Sequence, residues 1–267
     1  MNNDREIYIY TEVEELEYFR KAGELAAKTL NATSELIKPG ISTWDLDVFA
    51  ETFIRDAGAI PTFKGYLGFP CTLCTSVNHE VVHGIPNKLK ILKEGDILSI
   101  DVGVTLSIGK NGEVKNFVGD NAKTIGVGKI NEKLISLMED NKLALREGVK
   151  QCKAGNYISD IARAIENIAI EKKRGSIKDF GGHGIGPQYH AGPFIPNFVS
   201  YFNFVPDTKI EKGMILAIEP MFSLGLDEIR RMKDNWTIIT KDNKPCCHFE
   251  YSVLITDDEP EILTKWD

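Results

Sequence analysis

No stretch of this 267-residue chain stays apolar over the roughly 20 residues needed to cross a bilayer. Runs of lysine and arginine are also missing. With 32 basic against 39 acidic side chains the net charge is −7, which excludes a general nucleic-acid binder. The opening "MNNDREIYIYTEVEELEYF" lacks the basic-then-apolar order of a secretory signal. Low-complexity segments and obvious linkers are absent, so a single domain over residues 1–267 is expected. Cysteine is scarce and odd in number: five cannot all pair, and a reducing compartment keeps them as thiols. Cys71-x-x-Cys74 has the spacing of half a zinc site or a redox pair. The adjacent Cys246 and Cys247 are poorly placed to complete either, so thiols packed near a pocket are expected. What remains is 42% hydrophobic and 27% charged, the mix of a globular protein with a sizeable core. A cytoplasmic enzyme or binding protein is the expectation.

Glu12 to Lys38 reads as an amphipathic helix stopped by Pro39-Gly40. A second starts at Ser42, with Asp45 three residues on as a capping box, and runs to about Ala57. Asn131 to Arg174 repeats the arrangement. The stretch from Lys38 through Gly40 to Asp45 resembles that from Lys153 through Gly155 to Asp160, at a constant offset of 115. The shared helix-helix-strand order predicts a duplicated α/β (α+β) unit folded as one domain.

Chemistry enters on the strands. In "GDILSIDVGV", Leu98, Ile100, Val102 and Val104 alternate with Ser99, Asp101 and Gly103, so Asp101 faces away from the apolar set. "GMILAIEPM" puts Glu219 on the face of Ile215 and Ala217, and "HFEYSVLIT" puts Glu250 with His248 and Ser252. Taken alone, Asp101 reads better as a cap or strand-end residue, and Glu219 and Glu250 as solvent-facing edge residues. Three of them, each in an apolar run, are expensive to bury without a shared cation, and divalent ions suit carboxylates from separate strands. "GGHGIGPQYHAG" adds two histidines seven residues apart among glycines. His183 would supply an imidazole ligand while glycines clear space for metal and substrate. His190, further along the loop, would lean over the site.

Six segments in order then resemble the type I methionine aminopeptidases, from about residue 10 to the C-terminus. They are "TSVNHEVVHGIP" with His83, "GDILSIDVGV" with Asp101, "GDNAKTIGVG" with Asp120, "GGHGIGPQYH" with His183 and His190, "GMILAIEPMF" with Glu219, and "CCHFEYSVLIT" with Glu250. The resemblance implies a pita-bread fold, with pseudo-two-fold halves around a curved antiparallel sheet. It implies two divalent ions held by Asp101, Asp120, His183, Glu219 and Glu250, with Asp120 and Glu250 bridging. Asp101 would bind one ion, and His183 with Glu219 the other. The implied reaction is attack of activated water on the carbonyl after an N-terminal methionine, when the second residue is small. Glu219 would accept a proton, and His83 and His190 would hydrogen-bond the substrate. Manganese, iron(II), cobalt and zinc all suit such a site. Tyr66, Phe69, Cys74, Tyr189 and Trp236 fall on the methionine pocket, with Phe63 where some relatives have cysteine. Nascent chains, a transient ribosome contact and a monomeric state belong to the same implication. His79 and His248 match no catalytic position and read as ordinary surface or strand residues.

One departure stands out. Asp101 and Asp120 lie nineteen positions apart, wider than the family's usual spacing. Asn111-Gly112 suggests a lengthened hairpin turn, and an even insertion split over two strands preserves the face that Asp120 uses. Glu113 is the alternative ligand. Prolidase relatives usually carry a substantial N-terminal domain that this chain lacks. Type II enzymes carry a long insertion between the positions of His190 and Glu219, where this chain has only a short run. A non-catalytic binding protein of the same fold would have lost ligands, and all five are present.

Overall fold

Two helix pairs lie against antiparallel strands in a computed structural model that describes residues 5–110 and 112–267. The helices are α1 (Val13–Glu35), α2 (Thr43–Asp56), α3 (Glu132–Val149) and α4 (Ile158–Lys172). Ser42 caps α2: its hydroxyl accepts from the Asp45 amide at 3.1 Å, and Asp45 accepts from the Ser42 hydroxyl at 2.6 Å. No helix among the described residues is long and apolar enough to cross a membrane.

The two halves repeat down to single hydrogen bonds. Gly40 and Gly155 both sit at left-handed φ, +93° and +97°. Their amides donate to Leu92 and Ile210, and the amides of Leu92 and Ile210 donate back to Ile41 and Asn156. The same pair of β-bridges, Ser42 with Ile91 and Tyr157 with Lys209, locks each turn. The Asp160 carboxylate accepts from the Tyr157 amide as Asp45 does from Ser42, although tyrosine supplies no capping hydroxyl.

One sheet is built on the long hairpin of Ile97–Lys110 and Glu113–Gly126, with Leu73–Val77 and Ile60–Pro61 beside the first arm. A five-stranded sheet runs Glu261–Ile262, Tyr251–Leu254, Ile215–Ile218, Gly181–Gly186, Tyr189–Pro196, and two three-stranded sheets complete the described set. Every pairing between these strands is antiparallel. Alternation sorts the core as expected. Leu98, Ile100, Val102 and Val104 join α1 and α2 in one apolar cluster. Leu216, Ile218, Tyr251 and Val253 join α3 and α4 in another. Ile215, Ala217 and Leu254 face a third, with Phe63, Phe69 and Tyr189.

Glu219 and Glu250 depart from expectation, because neither lies inside a strand. Ile215–Ile218 and Met221–Ser223 are interrupted at Glu219-Pro220. Proline has no amide to continue the ladder. Cys246–His248 and Tyr251–Leu254 are interrupted at Phe249-Glu250, where the Glu250 amide leaves to pair with the Ala122 carbonyl at 2.9 Å. Both acids thus stand where a strand breaks and passes between sheets.

Of the predicted Asn111-Gly112 turn, Asn111 lies outside the described residues; Gly112 has φ +83°. At the other end of the chain, residues 5–10 lie along the His190 hairpin. Ile7 makes a parallel bridge with Gly192, Glu6 accepts from the Gly192 amide, and the Tyr10 amide donates to Gly213.

Candidate active site

Register brings the first two aspartates together. Asp120 pairs directly with Gly103, two residues from Asp101 on the same strand face, so both carboxylates leave the hairpin on one side. The Ser252 hydroxyl pins Asp120 by donating to its carbonyl at 2.7 Å and accepting from its amide at 3.1 Å. Glu113 pairs with Lys110 at the far tip of the hairpin. Seven residues of strand separate it from Asp120, about 24 Å at the usual rise.

His183 comes from the adjoining sheet. Its Nδ1–H donates to the Gly184 carbonyl at 2.9 Å, which turns the Nε2 lone pair inward. That Nε2 lies 3.6 Å from Asp120 Oδ2 and 3.8 Å from Glu219 Oε1. The glycines around it do a different job from the one expected. A side chain on Gly182 would overlap the Ala217 carbonyl, one on Gly184 the Gly192 carbonyl, and one on Gly186 the Tyr8 ring. They let neighbouring backbone and the N-terminal segment close in, and do not clear space for a ligand.

All five predicted ligands, with His83, Tyr189 and His190, line one cleft of about 520 Å³. Asp120, His183 and Glu250 each offer a ligand atom within 4.8 Å of the others, and all three are buried. Asp101 Oδ1, Asp120 Oδ1 and Glu250 Oε1 are buried without any hydrogen-bond partner. Unpaired carboxylate oxygens are costly in a low-dielectric interior. Burial first, then Asp120 and Glu219, holds the Asp101 carboxyl well above its ordinary range. Burial and the neighbouring Asp120, Glu219 and Asp101 do the same to Glu250. Burial raises Glu219 to about 8, with His183 opposing and Asp120 reinforcing. Such a cluster of crowded, unsatisfied acids around an inward imidazole fits divalent cations.

Two more histidines flank it. His83 has a left-handed backbone, φ +58°, and burial, with lesser effects from His248 and Arg231, lowers it to about 4. His190 is held well below its ordinary value by burial and by His183, Arg5 and His83. Both are neutral at pH 7 and can donate one ring N–H. His190 Nδ1 lies 3.0 Å from the Tyr66 hydroxyl.

The predicted methionine-pocket residues collect beside the cleft. Phe69 and Trp236 meet edge-on at 5.1 Å, Tyr66 and Tyr189 at 5.2 Å, and Phe63 approaches Tyr189 at 5.4 Å. Cys74 is buried in the same apolar cluster, as is Cys71. Among them only Tyr189 lines the cleft itself; the others form the wall behind it. All five cysteines are buried free thiols.

His248 corrects the sequence reading. It is 2% exposed, faces Glu219 Oε2 from 3.5 Å through its Nε2, and is lowered to about 4 by burial. The available signal was its place two residues before Glu250, on the same strand face. His79 is half-buried at a turn, and its carbonyl accepts from the Thr240 amide. Arg5, Arg230 and Arg231 at the cleft's edge also escaped the sequence reading.

A fold of paired halves around crowded acids is what metallopeptidase family M24 provides. The chain belongs to that family: its sequence profile matches residues 17–257. Within it the chain sorts with the methionine aminopeptidases. It is 42% identical over 250 residues to the methionine aminopeptidase of Clostridium acetobutylicum, covering 94% of this chain and 96% of that one. The crystal structure of methionine aminopeptidase from Rickettsia prowazekii superposes with a TM-score of 0.89 at 35% identity, covering 97% of this chain and all of that one. Prolidase from Pyrococcus furiosus aligns less well, with a TM-score of 0.74 at 26% identity and 66% of its length covered.

Proposed function

We propose that this chain removes the N-terminal methionine from proteins whose second residue is small, using two divalent ions held by Asp101, Asp120, His183, Glu219 and Glu250. Asp120 and Glu250 would be shared by the two ions, Asp101 would hold one, and His183 with Glu219 would hold the other. The single observation behind this reading is the set of buried, unpartnered carboxylate oxygens gathered around the inward Nε2 of His183. Four carboxylates balance the charge of two divalent ions. Manganese, iron(II), cobalt or zinc would fill such an O-rich, one-imidazole set, with availability deciding among them.

Bound ions supply charge that acidifies water and polarises the scissile carbonyl. The remaining work falls to side chains. Glu219 takes the proton from water, as the carboxylate that faces His183 at the acid cluster. His83 and His190, neutral through burial, donate their ring N–H groups to the substrate amide and to the oxyanion as it develops. Tyr66, Phe69, Cys74, Tyr189 and Trp236, with Phe63, make an apolar, sulfur-tolerant wall for the methionine side chain. The second residue sits between His83 and His190, where a bulky side chain collides. The substrates are nascent chains met by a cytoplasmic, single-domain monomer, with transient contact to the ribosome; five free thiols support a reducing compartment.

A Met-X-Ser peptide series at saturating metal tests this reading. Gly, Ala, Ser and Thr at X should be cleaved, Leu and Lys barely, and N-acetylated peptides refused. Steric exclusion discriminates far more than the roughly 1–3 kcal/mol of one missing methylene. Equal cleavage of Met-Lys and Met-Ala, or preferred cleavage before proline, sinks it.

A further inference from the structure

His248 is a buried imidazole for which the reaction above has no use. It ends the strand Cys246–His248, opposite Met221 of Met221–Ser223, two residues beyond Glu219. Its backbone is fixed on both sides by one hydroxyl. Thr124 Oγ1 accepts from the His248 amide at 2.9 Å and donates to the His248 carbonyl at 2.9 Å. The Thr124 hydroxyl is itself 2.8 Å from that of Ser99. The ring is therefore carried on a braced main chain, 2% exposed, with its Nε2 aimed at Glu219 and without a hydrogen-bond partner.

Glu219 lies between two imidazoles. Oε1 is 3.8 Å from His183 Nε2, and Oε2 is 3.5 Å from His248 Nε2. His248 Nε2 thus addresses Oε2 of Glu219, while His183 faces Oε1. A buried, unpartnered nitrogen that faces a carboxylate oxygen is satisfied if the nitrogen carries the proton.

We propose that His248 is a positioning residue for Glu219: it keeps its proton on Nε2 and donates it to Glu219 Oε2. This leaves Oε1, on the His183 side, free for the ion. The inference rests on the metal-site reading above, but concerns one hydrogen bond within it. Partners that orient a ligand in this way typically change metal affinity by about 10–100-fold when removed.

The test is titration of the metal-free full-length chain with Mn(II) alone, followed by calorimetry, with metal content of the purified protein as a second readout. Glutamine reproduces the position of Nε2 and can donate there; asparagine reproduces Nδ1 and cannot reach. His248→Gln should keep wild-type Mn(II) affinity within about 3-fold, while His248→Asn and His248→Leu lose about 10–100-fold. Wild-type affinity in His248→Asn or His248→Leu overturns the proposal. So does a His248→Gln variant as weak as His248→Leu, because that pattern makes the imidazole itself a ligand. Should the leucine variant fail to fold by circular dichroism, the Gln and Asn pair decides alone. A wild-type chain that binds no Mn(II) would instead remove the metal-site reading on which the inference stands.

Discussion

Replacing Glu250 by glutamine should stabilise the metal-free protein while removing its response to metal. Glu250 is 2% exposed, and each influence on its carboxyl raises the pKa: burial, Asp120, Glu219 and Asp101. Among the described residues, no cation is among those influences. An acid whose pKa is raised by folding contributes stability that is present at low pH and is lost as pH climbs above its unfolded value of 4.5. Holding it protonated at pH 8 costs at most about 5 kcal/mol, and at pH 5.5 about 1 kcal/mol. Glutamine has the same shape and no such cost. The main-chain bonds of residue 250, its amide to Ala122 and its carbonyl from Trp266 Nε1, are untouched. For a chain of this size each 1 kcal/mol moves Tm by roughly 2–4 °C. Thermal melts in chelator should therefore nearly coincide for Glu250→Gln and wild type near pH 5, then separate by at most about 10–20 °C in favour of the variant at pH 8. With Mn(II) added, the wild type should gain the lost stability and the variant should not. A variant less stable than wild type at pH 8 without metal, or one that still gains Tm from Mn(II), refutes the reasoning.

The remaining expectations concern neighbouring residues. Asp120→Ala should lose bound metal and activity, whereas Glu113→Ala, altered at the exposed hairpin tip, should keep both; the reverse in metal analysis would overturn the assignment of the insertion. His190→Ala should lower kcat by roughly 10²–10³-fold with metal content unchanged, and loss of an ion in that variant would show a different role. Tyr66→Phe removes only the hydroxyl that holds His190 Nδ1. It should cost part of the same factor in wild type and nothing in the His190→Ala background; equal costs in both would make Tyr66 a packing residue alone.

Much of this was legible because it is local. The Ser42 cap, the Gly40 and Gly155 turns and the sorting of Leu98 through Val104 follow from side-chain period and capping chemistry. The parity of the insertion put Asp120 on the face of Asp101 without any knowledge of its length in space. What escaped depends on distant partners. Glu219 and Glu250 read as mid-strand residues, because alternation does not reveal that Ala122 captures the Glu250 amide or that Pro220 ends a ladder. His248 read as an ordinary residue because Glu219, which its Nε2 faces, is distant in sequence. The glycines flanking His183 pointed to a close approach, but not to what approaches.

The contact of residues 5–10 with the His190 hairpin has a temporal side. Synthesis runs at about 5–20 residues per second, so the docking partners of Glu6, Ile7 and Tyr10, at Gly192 and Gly213, are made roughly 10–40 s after these residues are. Residues 5–10 wait for partners that lie about 180–200 residues further along the chain. The hairpin that carries both His183 and His190 is buttressed only when that wait ends.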